Sequence, residues 1–297
     1  MTTRAFAPAK VNLFLHVGAP DDDGYHPICS LMAFADVGDV VMAYEAEALE
    51  VRVNGPFARD LEQAGGEDLM ARAARALIAE ARRPVAPFGL ALEKRLPIAA
   101  GLGGGSADAG AALRLLREAL SLKLDDGELQ ALAASLGADG AACLWGRPVI
   151  AEGRGERLSP APGLPVVDAV LVNPRVPVPT GDVYRALDAA GLFSDVTPPL
   201  APDAFEDAVD LAVWLAGLRN DLQGPAIAAA PEVGDVLETL AGEPECLLAR
   251  VSGSGGTCFA LTRSDIEAES LAERIEALAP AWWIQRCRLG GPWPDPE

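Results

Sequence analysis

The sequence predicts an α+β fold in two lobes, and three observations predict it. A strictly alternating stretch at 11–17 reads as a strand. Short β-rich runs and amphipathic helical runs then interleave along the chain, and a Pro- and Gly-rich stretch at 160–165 separates two such series. The expected division is 1–158 for the first lobe and 159–297 for the second. Half of the 297 residues are apolar, enough for a sizeable core and too many for a disordered chain.

At the N-terminus, Val11, Leu13, Leu15 and Val17 are expected on one strand face, against the core, with Lys10, Asn12, Phe14 and His16 on the other. Further strands are expected near 39–44, 88–92, 148–151 and 166–172. An Ala-rich helix is expected over 67–82, closed by Pro84. A second is expected over 106–120 with Leu113, Leu116 and Leu120 on one face, and a third over 126–136 with Gly137 as its C-cap. In the second half, 182–190, 204–218, 231–240 and 265–278 read as helices. A glycine turn at 252–256 lies between apolar runs at 246–251 and 257–262. The tail from 290 onward is Pro-rich and reads as frayed.

The net charge of −19 argues against nucleic acid and anionic membranes as partners, both of which call for a basic face. The N-terminal stretch MTTRAFAPAKVNLFLHV, interrupted by Lys10, Asn12 and His16, is neither a secretory signal nor a membrane span. Cys29, Cys143, Cys246, Cys258 and Cys287 include no CxxC pair, which points to reduced core thiols in a cytoplasmic protein. With only His16 and His26 available, a zinc site is disfavoured.

Residues 97–109, PIAAGLGGGSADA, have the makings of a phosphate cradle. Gly101, Gly103, Gly104 and Gly105 allow close approach of backbone to ligand, Ser106 offers a hydroxyl, Lys94 stands upstream, and a helix starts at once with its free N–H groups facing the loop. Neither the P-loop pattern nor the dinucleotide fingerprint fits: no Lys follows the glycines, Ser106 occupies the third Gly position, and no preceding βαβ context is evident. Asp108 reads as a first-turn acid favoured by the helix dipole.

Only three lysines occur, so each can be weighed singly. Lys123 reads as surface, whereas Lys10 shares a strand face with Asn12 and could neutralise a phosphate or pair with a carboxylate. Asp139 is a lone acid among apolar and small residues and needs a partner, either a cation or the N-terminus of the next helix. Tyr25 and His26 end an acidic turn and read as an exposed recognition pair.

Three stretches together resemble the signature motifs of the GHMP kinases: PAKVNLFLHV at 8–17, LPIAAGLGGGSADA at 96–109 and VSGSGGTCFAL at 251–261. The resemblance implies a two-lobed GHMP kinase fold, with a ribosomal protein S5 domain 2-like N-terminal lobe and a ferredoxin-like C-terminal lobe. It also implies transfer of phosphate from ATP with Mg²⁺. DDGYHP at 22–27, FADVGD at 34–39, GAD at 137–139, AEGRGE at 151–156 and NDL at 220–222 resemble the branch that phosphorylates the 2-hydroxyl of a cytidylylated methylerythritol in non-mevalonate isoprenoid synthesis.

Carried over position by position, the resemblance implies a catalytic pair, Lys10 and Asp139. It implies acceptor contacts at Asn12, Tyr25, His26, Thr180 and Tyr184, with base choice by hydrogen bonding at His26. ATP-phosphate contacts fall at Lys94, Pro97, Gly101, Leu102, Gly103, Gly104, Gly105, Ser106 and Ala107, with Ser106 a candidate in the Mg²⁺ shell. The chain departs from the branch at 140–143, where Gly-Ala-Ala-Cys replaces Val-Pro-Phe-Phe and lightens the wall behind Asp139. The expected partners are the acceptor and ATP, in a monomer or homodimer. The rival readings are a kinase for homoserine, mevalonate or a sugar, a non-catalytic relative, and, disfavoured by the failed fingerprint, a dinucleotide-dependent oxidoreductase.

Overall fold

The computed structural model describes residues 3–65, 68–81 and 83–295. Its frame is one mixed sheet organised by two long strands, β1 (Thr3–Val17) and β2 (Ile28–Glu45), which pair antiparallel along most of their length. Along its other edge β2 carries three strands in turn: β5 (Val149–Gly153) at 28–32, β10 (Trp283–Gly290) at 34–35, and β4 (Phe88–Glu93) at 40–45. Beyond β4 lies β3 (Glu50–Asn54), parallel to it, and beyond β5 lies β6 (Arg157–Pro160). The C-terminal strands β7 (Val167–Asn173), β9 (Cys258–Leu261) and β8 (Leu248–Val251) continue from β10, giving the path β3-β4-β2-β10-β7-β9-β8. This C-terminal group joins the N-terminal one through two paired positions, Leu289↔Ala35 and Gly290↔Phe34.

The β1 alternation does not run through as its residue types suggest. The register shifts between Pro8 and Lys10 and again between Asn12 and Phe14. Val11, Leu13 and Phe14 therefore join one core cluster, while Ala5, Ala7, Leu15 and Val17 join the other. A bulge inserts a residue and turns the residues after it to the opposite face. Both faces are covered, so residues 7–18 are buried throughout.

One face carries most of the helices: α2 (Leu69–Glu80), α3 (Gly104–Ala119), α4 (Asp126–Leu136), α5 (Gly140–Trp145), α6 (Thr180–Ala190), α8 (Gln223–Ala229), α9 (Pro231–Ala241) and α10 (Asp265–Leu278). The other face is covered by α7 (Ala208–Ala216) with Phe205 and Trp214. The remaining helix, α1 (Ala58–Ala64), buries none of its residues.

Expected ends 67 and 82 of the first long helix lie outside the described residues, and Asp68 caps its start by accepting from Met70 N and Ala71 N. The 126–136 and 265–278 helices have the expected bounds, with Asp125 closing a capping box and Ser264 capping α10. The 204–218 helix is shorter, because Asp207 caps it and starts it at Ala208. The tail is anchored rather than frayed: Trp293 Nε1 donates to Phe34 O at 2.8 Å, and Asp295 accepts from Phe6 N at 2.7 Å. A βαβ unit also precedes the glycine turn after all, since β3 and β4 are parallel and joined through α1 and α2.

Candidate active site

A cavity of about 710 Å³ opens where the glycine turn, β1 and α6 converge. All the candidate residues named from the sequence line it except Ala107. Ala107 is fully buried and its N–H is spent on Gly103 O at 2.9 Å.

Gly103 sits at the N-cap of α3 with φ 62°, and no side chain caps the helix. The amides of the first turn are left for a ligand, and the helix dipole favours an anion there. A Cβ on Gly103 would come within 3.1 Å of Lys10 Cε. At Gly101, also at positive φ, a Cβ would stand 2.2 Å from Ser252 O. The third motif is clasped to this turn: Ser252 Oγ donates to Gly101 O at 2.9 Å, and Thr257 N donates to Ala100 O at 3.0 Å. Asn220, in the NDL segment, holds the same loop by donating to Val251 O and Gly253 O, both at 2.8 Å.

Lys10 and Asp139 meet. The Lys10 ammonium lies 3.1 Å from Asp139 Oδ2 and donates to Asn12 Oδ1 at 2.7 Å. Asn12 Nδ2 donates to Ser30 Oγ at 2.8 Å, and Ser30 Oγ donates to Phe14 O at 2.6 Å, so a relay anchored in the sheet aims the lysine. Asn12 lines the cavity and also holds Lys10, its Oδ1 taken by the lysine and one Nδ2 proton by Ser30. Asp139 occupies the N-cap of α5 but makes no side-chain cap, which leaves its carboxylate for the lysine and the cavity.

The small residues at 140–143 have a packing reason. A Cβ on Gly140 would stand 2.0 Å from Ala133 O, so α5 starts hard against α4. Ala141, Ala142 and Cys143 are buried and close the wall behind Asp139. Burial drives the Cys143 thiol well above its ordinary range, and the nearby Asp139 adds to the rise.

Lys94 is committed beneath the turn. Its ammonium donates to Asp39 Oδ2 at 2.6 Å and Asp108 Oδ2 at 2.8 Å, with all three side chains buried. Asp39 Oδ1 also accepts from Arg95 N and Leu96 N, pinning the approach to the loop. Burial pulls the Lys94 ammonium downward, yet the two carboxylates carry it above its ordinary value. Burial pushes the Asp108 carboxyl above its ordinary value against the pull of Lys94, with Asp39 adding to the rise. Asp108 lies in the second turn of α3, whose first turn has no acid, so it answers to Lys94 rather than to the helix dipole.

At the other end of the cavity, Tyr25 is 59% exposed and carries the Arg154 guanidinium 4.4 Å from its ring centroid. Asp23 holds Arg154 at 2.5 Å. His26 is buried, not exposed: Nδ1 lies 2.9 Å from Gly18 O and Nε2 3.1 Å from Asp188 Oδ1. Its ring lies 5.2 Å from Tyr184. Burial, and then the nearby Asp139, raise the Tyr184 phenol to about 12, so it remains protonated at neutral pH. Thr180 Oγ1 lies 2.8 Å from Ser254 Oγ, joining α6 to the third motif.

A second cavity of about 640 Å³, not foreseen from the sequence, adjoins the first and shares Gly105, Leu61, Leu69 and Asp108 with it. Val51, Val53 and Leu92 give it an apolar wall. The alternation in EVRVN at 50–54 was the available signal.

A family model described as the GHMP kinases N terminal domain matches residues 68–147, and one described as GHMP kinases C terminal matches 203–281. A protein of a Caulobacter species, named 4-diphosphocytidyl-2-C-methyl-D-erythritol kinase, is 62% identical over 99% of this chain and 100% of its own length. The chain belongs to the GHMP kinase family. Among solved structures, this GHMP kinase resembles a 4-(cytidine 5'-diphospho)-2C-methyl-D-erythritol kinase at 34% identity and TM-score 0.76, covering 98% of this chain and 100% of that one. The Methanococcus jannaschii mevalonate kinase, 12% identical with TM-score 0.69 and 98% of each chain covered, shares the GHMP kinase fold.

Proposed function

We propose that this GHMP kinase transfers the γ-phosphoryl group of ATP to the 2-hydroxyl of 4-diphosphocytidyl-2-C-methyl-D-erythritol. The observation that carries the reading is the 3.1 Å contact of Lys10 with Asp139 beside a glycine turn at a bare helix N-terminus. The names of the full-length relatives support this acceptor over mevalonate or homoserine.

Asp139 takes the proton of the acceptor hydroxyl, whose oxygen then bonds to the γ-phosphorus as the bond to the β-phosphate oxygen breaks and ADP leaves. Lys10, aimed by Asn12, orients the carboxylate and offsets charge on the transferring group. Phosphoryl transfer has a loose transition state, so positioning and charge stabilisation supply most of the catalysis. The amides of Gly104, Gly105 and Ser106 cradle the phosphates, and the apolar wall of Val51, Val53 and Leu92 takes the adenine. Tyr25 and Tyr184 take the cytosine.

No group of three or more His, Cys, Asp or Glu side chains among the described residues is arranged to hold a metal. Mg²⁺ keeps several waters and leans on substrate phosphates, and the Ser106 hydroxyl, which lines the cavity, is the side chain that would join its shell. When bound, Mg²⁺ would neutralise phosphate charge. A division into two lobes belongs to the same reading, supported by the two-position junction of β10 with β2; the expected boundary at 158/159 falls inside β6, which pairs with β5 of the first lobe. A cytoplasmic setting fits the five free thiols.

A coupled ADP-release assay offering the cytidylyl acceptor, mevalonate and homoserine tests the function. Turnover is expected with the first alone, and preference for either of the others would overturn the acceptor assignment. Tyr184→Ala is expected to raise KM for the acceptor and leave KM for ATP unchanged. Equal rises in both would remove Tyr184 from the acceptor site.

A further inference from the structure

We infer that Arg250 is a positioning residue for the phosphoryl transfer: its guanidinium braces the bulge of β1 at Leu13, and the bulge sets Asn12 so that Lys10 meets Asp139. The inference rests on the Lys10–Asp139 mechanism proposed above. It adds to that mechanism a residue outside both cavities.

The bulge needs support from outside its own ladder. On β2, Met32 pairs with Asn12 and Leu31 with Phe14, so Leu13 is the extra residue. An extra residue is left unpaired in the ladder, and a buried carbonyl without a donor is costly. Side chains supply the missing partners on three consecutive residues. Ser252 Oγ accepts from Asn12 N at 3.3 Å, Arg250 Nη1 donates to Leu13 O at 2.6 Å, and Ser30 Oγ donates to Phe14 O at 2.6 Å. Arg250 and Ser252 come from the end of β8 and the turn after it, so the third motif holds the bulge as well as the glycine turn.

Arg250 is only 6% exposed. Its other terminal nitrogen, Nη2, donates to Leu215 O at 2.9 Å and Leu218 O at 2.8 Å. These carbonyls close α7, where the helix dipole is negative. No carboxylate pairs with the guanidinium among the described residues; burial lowers it to about 10, so it stays charged at neutral pH. A buried cation without a counter-ion is a costly way to fill space, since an apolar side chain of similar length carries no such desolvation penalty. The apolar side chain could not tie Leu13 O to the end of α7. The planar fork of a guanidinium can, because its two nitrogens point at two different elements.

The path from Leu13 to the reacting groups is short. Asn12, the next residue, gives its Oδ1 to Lys10 at 2.7 Å, and Lys10 lies 3.1 Å from Asp139 Oδ2. A slip of the strand by one residue would turn Asn12 to the opposite face and release the lysine. Misplacement by about 1 Å near the chemistry can cost ~10²-fold in rate.

The test is a double-mutant cycle on the full chain, reading kcat with the cytidylyl acceptor, ATP affinity by calorimetry and thermal unfolding. Arg250→Met is expected to lower kcat by about 10- to 100-fold with ATP affinity close to wild type. In an Asn12→Ala background, which has already released Lys10, the same substitution is expected to lower kcat little further. A purely structural role would give the same proportional loss in both backgrounds. Arg250→Lys keeps the charge but not the fork, and is expected to fall between wild type and Arg250→Met; it replaces Met in the cycle if the Met variant does not fold. Wild-type kcat in either Arg250 variant, equal losses in the two backgrounds, or an Arg250→Lys chain that fails to fold would overturn the role and leave the proposed function standing. A wild type that ignores the cytidylyl acceptor but phosphorylates homoserine or mevalonate would instead overturn the function reading.

Discussion

Lys10 and Lys94 are both buried lysines with carboxylate neighbours, yet their surroundings assign them different work. Lys10 has one carboxylate, Asp139, and one amide, Asn12, and it faces the cavity. Lys94 is enclosed by two carboxylates and holds the floor beneath the turn. Removing one member of a buried ion cluster leaves the others uncompensated, so Lys94→Ala is expected to cost about 3–5 kcal/mol of stability in urea unfolding. Lys123→Ala, on the surface, is expected to stay within about 0.5 kcal/mol. Lys10 and Asp139 are legible in the sequence, but the enclosure of Lys94 is not. Its partner Asp39 lies 55 residues away, and nothing local signals that pairing. The burial of His26 is equally hidden: its turn is acidic, and Gly18 and Asp188 close around it only in three dimensions.

Among the elements, the start of α3 carries the most specific backbone demand. Gly103 combines a left-handed conformation with a neighbour, Lys10 Cε, 3.1 Å from where a Cβ would stand. Gly103→Ala is expected to destabilise the fold by about 1–2 kcal/mol from backbone strain. It should also lower kcat by displacing Lys10, as steady-state kinetics beside thermal unfolding would show. An unchanged kcat would mean that the turn and the lysine are not mechanically linked.

Helices with strong caps and regular apolar spacing, α4 and α10, are legible to the residue. The short helices α1, α5 and α8, of six or seven residues, are not, because too few turns form to show a period. The register shifts in β1 are equally hidden, since Val11, Leu13, Leu15 and Val17 alternate with Lys10, Asn12 and His16 as in an unbroken strand, and no residue type marks the bulges.

Across the whole molecule, three distant stretches close one site because the sheet brings β1, the 101–106 turn and the 252–256 turn together. Asn220 fastens the last of these through two carbonyls, and its own Oδ1 accepts from Leu222 N at 2.9 Å. Asn220→Ala strands those buried groups and is expected to cost about 1–3 kcal/mol in chemical unfolding. KM for ATP is expected to rise with it as the clasp on Gly101 loosens. The order of the motifs and the mixed class are legible in the sequence. The seven-strand path among the described residues is not, because β10 reaches β2 over some 250 residues through two paired positions.

The proposed mechanism centres on the Asp139 carboxylate as the proton acceptor, a group held 3.1 Å from Lys10. The most direct test of that role is the turnover of Asp139→Asn beside ATP affinity measured by calorimetry. The expected result is a fall in kcat of about 10²–10⁴-fold, with ATP binding close to wild type. A variant that turns over at the wild-type rate would contradict it.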